Sequence, residues 1–128
     1  MERRVVFSGN PYEAVFGHSR AVRVGDHISV SGTAPINADG SDPPLDAYGQ
    51  TRLCLDIILK ALAEVGAEAQ NVVRTRVYAT RVDDFDDVAR AHREVFSGIH
   101  PASTLVVIKE LANPAWLVEM EADAIVPA

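Results

Sequence analysis

One cysteine, Cys54, stands in the whole sequence, so no internal disulfide can form. The chain therefore reads as a cytoplasmic protein of a reducing compartment, with a buried and inert thiol in mid-helix. Basic residues are short: 12 Lys and Arg face 18 Asp and Glu, a net charge of −6. That balance weighs against a non-specific nucleic-acid binder, which needs a basic face, and against attraction to anionic lipid. Aromatics are only 6% of the chain, too few for a basic-aromatic strip that stacks single strands. No apolar run approaches the ~18 residues of a membrane helix. The segment Met1–Phe7 carries charges with no apolar region of ~7–15 residues behind them, unlike a signal peptide. Zinc-spaced Cys/His sets, a P-loop, a Rossmann glycine run and a G-x-S-x-G elbow are all missing. Metal and nucleotide chemistry thus have no foothold among the recognised motifs.

What is present is an ordinary globular composition, 48% hydrophobic and 23% charged over 128 residues. That length suits one domain, 1–128, able to hold a core without staples. Two segments carry helix periodicity. Between Asp46 and Val65, Leu53, Ile57, Ile58, Ala61, Leu62 and Val65 make one stripe, with Asp46 as N-cap and Gly66 as stop. Between Asp84 and Phe96, the inner face reads Phe85, Val88, Ala89, His92, Val95 and Phe96. Asp83 is the expected cap there, Gly98 the expected stop, and Pro101 prevents a restart. Strands are expected at Arg3–Phe7, Ala21–Val24, His27–Thr33, Val72–Thr80, Thr104–Ile108 and Trp116–Val126. Gly25-Asp26 turns a hairpin. Thr104–Ile108, almost wholly apolar, predicts a strand covered on both faces. Asn37–Pro44 reads as a surface loop.

The order is β-β-β-α-β-α-β-β, an α+β domain with two helices packed on one face of a mixed sheet. The last strand sends Val118, Met120, Ala122, Ala124 and Val126 one way and Glu119, Glu121 and Asp123 the other. The middle strand adds Arg74, Arg76 and Tyr78 to the open face. Such a face is too polar for a monomer core and suits a wet interface between copies.

Four short motifs in order, Ser31-Gly32-Thr33-Ala34-Pro35, Gly49-Gln50-Thr51, Pro101-Ala102-Ser103-Thr104 and Val118-Glu119-Met120-Glu121-Ala122, resemble the RidA/YjgF family. The family is also known under the name endoribonuclease L-PSP. The resemblance spans almost the whole chain. It implies a chorismate-mutase-like fold, a homotrimer, and a small-molecule ligand held in a cleft between subunits. It also implies hydrolysis of 2-aminoacrylate and related enamines or imines, with neither metal nor organic cofactor. In the archetype an arginine after Pro-Ala grips the substrate carboxylate, which a planar guanidinium does through two oxygens at once. Here that position is Ser103, so the resemblance is to an arginine-less branch, with weak or absent 2-aminoacrylate activity. His18 stands where a tyrosine is expected, and Ala89 where an asparagine is. The resemblance assigns the water-holding carboxylate to Glu121 and the backbone beside the ligand to Gly32.

Each assignment has a plainer counterpart. Glu121 is either a solvated strand acid or the carboxylate that activates water. His18 is either a loop histidine or an acid–base partner of Glu121, an imidazole being able to move protons near neutral pH. Arg20 supplies a positive charge for an anionic ligand or is structural. Ser103 is a strand-start residue or a hydroxyl that orients a ligand; no histidine is placed beside it by sequence to make it a nucleophile. His92, on the apolar stripe, reads as a packed histidine. The functional alternatives are an enzyme acting on a reactive enamine or imine, a non-catalytic metabolite-binding trimer that assists a pathway enzyme, and an endoribonuclease. The acidic charge disfavours the last.

Overall fold

The computed structural model describes residues 2–127; Met1 and Ala128, the two ends of the expected domain, lie outside the described residues. Nine main elements follow in order. They are β1 (Arg3–Val6), α1 (Pro11–Phe16), β2 (Ala21–Val24), β3 (His27–Thr33), α2 (Ala47–Glu64), β4 (Val72–Ala79), α3 (Phe85–Phe96), β5 (Ala102–Val107) and β6 (Val118–Ile125). All six strands form one sheet in the order β1-β2-β3-β6-β4-β5. Neighbours are antiparallel except β4 and β5. Those two run parallel because α3 carries the chain back along the sheet before β5 begins.

Helix α2 forms for the reasons its sequence states. The Asp46 carboxylate accepts the Gly49 N–H at 3.1 Å, and Gly66 leaves the helix at φ +83°. Its buried side, Cys54, Leu55, Ile58, Ala61 and Leu62, meets Val88 and Phe96 of α3 and the inward residues of β3, β4 and β6. Both long helices thus lie on one face. Each of the larger aliphatic side chains in that layer contributes about 1.5–3 kcal/mol by leaving water. The Cys54 thiol is sealed inside it, and burial pushes its pKa up, with the Glu119 charge adding to the effect. No helix among the described residues is long and apolar enough to cross a membrane.

Several expectations need correction. Helix α1 adds an element between the first two strands. It begins on Pro11, with the Asn10 side chain accepting the Tyr12 N–H at 2.9 Å, and stops at Gly17, φ +80°. Asp83 does not cap α3. The chain enters through a 3₁₀ turn, Val82–Asp84, and the Asp84 carboxylate instead takes both Arg81 donors at 2.9 and 2.7 Å. Gly98 does not end α3 by reversing the backbone. The residue with positive φ is His100, at +56°, whose N–H and that of Ile99 both close on the Phe96 carbonyl. Phe85 is 52% exposed, and Ala91 takes the inner position expected of it. Strand β5 is not covered on both faces. It is an edge strand, with Val106 and Val107 44% and 49% exposed in the single chain.

The open face carries the expected polar ladder. Arg76 reaches Asp123 at 3.1 Å and Glu121 at 3.4 Å, Tyr78 donates to Glu121 at 3.3 Å, and Ser29 donates to Asp123 at 3.0 Å.

Candidate functional site

At one end of this open face, α1 and the loop before β6 bracket an open cleft of about 430 Å³. Its polar lining comes from four places. The turn after α1 brings His18 and Arg20, β3 brings Ser31 and Gly32, the start of α1 brings Asn10, and β6 brings Glu119. Tyr12, Phe16, Ile36 and Trp116 supply apolar walls. Tyr12 and Trp116 meet edge-on at 6.0 Å, and Phe16 and His18 at 5.8 Å, so the aromatic walls are braced from both sides.

The backbone under the cleft is tied down by side chains the sequence marks only as motif letters. Ser31 N–H donates to the Arg20 carbonyl at 3.0 Å, and Ser31 Oγ to the Ser19 carbonyl at 2.7 Å, which clamps the His18–Arg20 segment to β3. Gln50 is buried. Its amide donates to the carbonyls of Pro44 and Ala115 at 2.9 Å each and accepts the Leu117 N–H at 2.7 Å. One α2 side chain therefore holds the loop that carries Trp116. Gly49, just before it, leaves no space for a larger residue: a Cβ there would fall 2.6 Å from Asp46 Oδ1 and 2.7 Å from Pro44 Cβ.

Glu119 is the carboxylate of this cleft. A Cβ on Gly32 would sit 2.5 Å from its Oε2, so the absent side chain at position 32 is what lets the carboxylate lie against the β3 backbone. Burial raises the Glu119 pKa. Arg20 and His18 pull the other way, while the neighbouring Glu121 adds to the rise. Arg20 is itself buried, which lowers its pKa against the pull of Glu13 and Glu119, and its Nη2 donates to the Gly32 carbonyl at 2.5 Å. Two polar atoms here, His18 Nδ1 and Arg20 Nε, are buried without a hydrogen-bond partner.

Three of the residues singled out from the sequence, His18, Arg20 and Gly32, therefore meet in one cleft. Two do not join them in the single chain. Glu121 points into the Arg76–Tyr78 network two residues along β6, outside the cleft lining. Ser103 lies on β5, at the far edge of the sheet from β1–β3. Its Oγ accepts from Thr75 Oγ1 at 2.7 Å, and Thr75 also bonds His92 Nε2 at 2.8 Å. Buried Thr75 thus connects His92 to Ser103. Burial lowers the His92 pKa, and its ring packs on Phe96 at 4.7 Å. Glu119, in the cleft lining, and Gln50, whose amide holds the loop carrying Trp116, are not singled out by the sequence reading as site residues.

Comparison with known proteins places these features in context. The family model described as endoribonuclease L-PSP matches residues 8–126. An uncharacterized protein of Streptomyces coelicolor is 38% identical over 121 residues, covering 94% of this chain and 90% of its own length. A RutC family protein of Pyrococcus abyssi is 31% identical over 125 residues, with 97% and 98% covered. The crystal structure of a YjgF/YER057c/UK114 family member from Mycobacterium tuberculosis superposes with a TM-score of 0.90 at 38% identity, covering 98% of this chain and all of that one. A Rid family protein of unknown function from Yersinia pestis gives 0.87 at 29% identity, with 98% and 100% covered.

Proposed function

The chain belongs to the endoribonuclease L-PSP family, the RidA/YjgF group with its chorismate-mutase-like α+β fold, and on that premise we propose that it hydrolyses a small reactive imine or enamine in the cleft of His18, Arg20, Gly32 and Glu119. One observation carries the reading: a half-buried carboxylate and an imidazole meet beside a β3 backbone cleared of side chain at Gly32.

Hydrolysis of an imine adds water to the C=N carbon, and the nitrogen leaves as ammonia while a carbonyl forms. Glu119 accepts a proton from the attacking water as the O–C bond forms. Its raised pKa makes it a stronger base than an ordinary carboxylate near neutral pH. His18 delivers a proton to the departing nitrogen. Arg20 balances negative charge at the Glu119 end of the cleft. The base is thus assigned to Glu119 rather than Glu121, whose carboxylate already answers Arg76 and Tyr78.

Ser103 gives no guanidinium fork for a substrate carboxylate, so this reading favours substrates without a free α-carboxylate. 2-Aminoacrylate turns over slowly, a lost buried charge contact being worth roughly 2–5 kcal/mol. The polar open face supports association of three copies, which brings β5 of one copy and the cleft of the next within reach of a shared ligand.

The test follows ammonia release from freshly generated imines. Glu119→Gln, which keeps size and removes charge, lowers turnover about 100- to 10,000-fold, while Glu121→Gln stays near wild type. Undiminished turnover in Glu119→Gln sinks the catalytic reading, and retained ligand binding in that case leaves a metabolite-binding protein.

A further inference from the structure

Thr75 on β4 and Ser103 on β5 are register partners, so their side chains lie on the same face of the sheet. That is the helix side, where His92 of α3 reaches Thr75. Thr75 Oγ1 stands 2.7 Å from Ser103 Oγ and 2.8 Å from His92 Nε2, and Thr75 is 0% exposed. A threonine hydroxyl owns one hydrogen and here has two contacts to serve. If that hydrogen goes to His92, Nε2 is bare and Ser103 must donate inward to Thr75. If it goes to Ser103, the contact to His92 is a hydrogen bond only when Nε2 carries a hydrogen of its own. The tautomer of one ring therefore decides the direction of both hydroxyls. Ser103 Oγ accepts from Thr75, which selects the second arrangement. Ser103 is the exposed member of the three in the single chain, and its own hydrogen has no acceptor among the described residues. On its other side His92 lines a cavity of about 350 Å³ at the end of α3, with Arg93 and His100 and without a carboxylate. Burial lowers the His92 pKa, so the ring is neutral in mildly alkaline solution.

We propose that His92 and Thr75 are positioning residues that fix the Ser103 hydroxyl as an outward hydrogen-bond donor, so that the β5 end of the shared site selects an acceptor oxygen on the ligand. Each donation in the row polarises the next, which makes Ser103 a stronger donor than a serine standing alone. Neither His92 nor Thr75 touches the ligand. The ligand part of the inference rests on the reading proposed above, while the row of hydrogen bonds lies wholly within one chain. The class of ligand is a small molecule with a carbonyl oxygen beside the reacting carbon. A single neutral donor meets such an oxygen without needing a countercharge.

The experiment reads the imidazole nitrogens of His92 by long-range ¹H–¹⁵N NMR on the ligand-free, full-length chain in mildly alkaline buffer, with His92 assigned by its loss in His92→Phe. In the wild type Nε2 carries the hydrogen and Nδ1 is bare. Ser103→Thr and Ser103→Val differ by one hydroxyl against one methyl, and both suit an exposed edge strand. Ser103→Thr keeps the wild-type tautomer. In Ser103→Val the buried Thr75 hydrogen has only Nε2 left to bond, and the ring moves to the Nδ1–H form. A bare Nε2 in the wild type overturns the proposal, and so does a tautomer that folded Ser103→Val leaves unchanged. Should Ser103→Val not fold, the wild-type tautomer and its retention in Ser103→Thr decide alone. The ligand end is tested by NMR titration with pyruvamide, which has a second carbonyl beside its ketone, and butanone, which has a methylene there. Ser103→Val binds pyruvamide about 2- to 10-fold more weakly than Ser103→Thr does, while butanone binds both alike. Equal pyruvamide binding in the two variants overturns the selection of an acceptor oxygen. None of these measurements needs turnover, so failure of the imine chemistry and failure of this inference are separate results.

Discussion

Gly32 and Glu119 face each other across β3 and β6 at a separation only a hydrogen atom fits. The atom that a Gly32 Cβ would strike is the far end of a flexible side chain, and the Gly32 backbone is one that alanine also adopts. Gly32→Ala therefore folds, and the cost falls on the carboxylate, which must swing off the β3 backbone. Turnover should fall about 100-fold, the usual consequence of an ångström of misplacement, while the urea midpoint stays close to wild type. A variant as active as wild type would mean that Glu119 does not work from this position. The same pair shows where sequence reading stops at this scale. Alternation along β6 puts Glu119, Glu121 and Asp123 on one face and cannot rank them. What separates them is the neighbour: Gly32 and Arg20 beside Glu119, Arg76 and Tyr78 beside Glu121. Those neighbours are set by β3–β6 and β4–β6 register, which no local pattern carries. His18 and Gly32 come from the family resemblance, and Arg20 from its place beside His18, rather than from any local pattern.

Among the elements, α2 was legible to within a residue, because a long amphipathic stripe, an aspartate cap and a terminal glycine agree with one another. Asp46→Ala removes the cap and should cost about 1 kcal/mol by chemical denaturation; no loss would assign the helix start to Gly49 and Gln50 instead. Helix α1 escaped notice because six residues are too few to show a period, although Asn10-Pro11 and Gly17 mark its ends plainly. The entry to α3 misled for another reason. Asp83 stands at the expected cap position, but the chain enters through a 3₁₀ turn in which Arg81, three residues before Asp84, takes the Asp84 carboxylate, and the helix starts without a side-chain cap. Strand β5 misled because an apolar run signals burial without saying by what. Its place at the sheet edge leaves Val106 and Val107 exposed in the single chain.

For the whole molecule, that edge and the charged face beside it belong together. An apolar strand edge beside a ladder of part-exposed ion pairs is the kind of surface that the proposed association of three copies would cover. Light scattering in dilute neutral buffer should give about three times 13.8 kDa. A persistent monomer would remove the shared cleft and strand Ser103 on an unused edge. The sealed thiol of Cys54 bears on the same molecule in another way. It lies between α2 and the sheet, within reach of the Glu119 and Arg20 charges, and it is the chain's single sulfhydryl. A thiol reagent meets it only when α2 lifts from the strands, so the protein carries its own clock: each labelled molecule records one opening of the layer that supports the cleft.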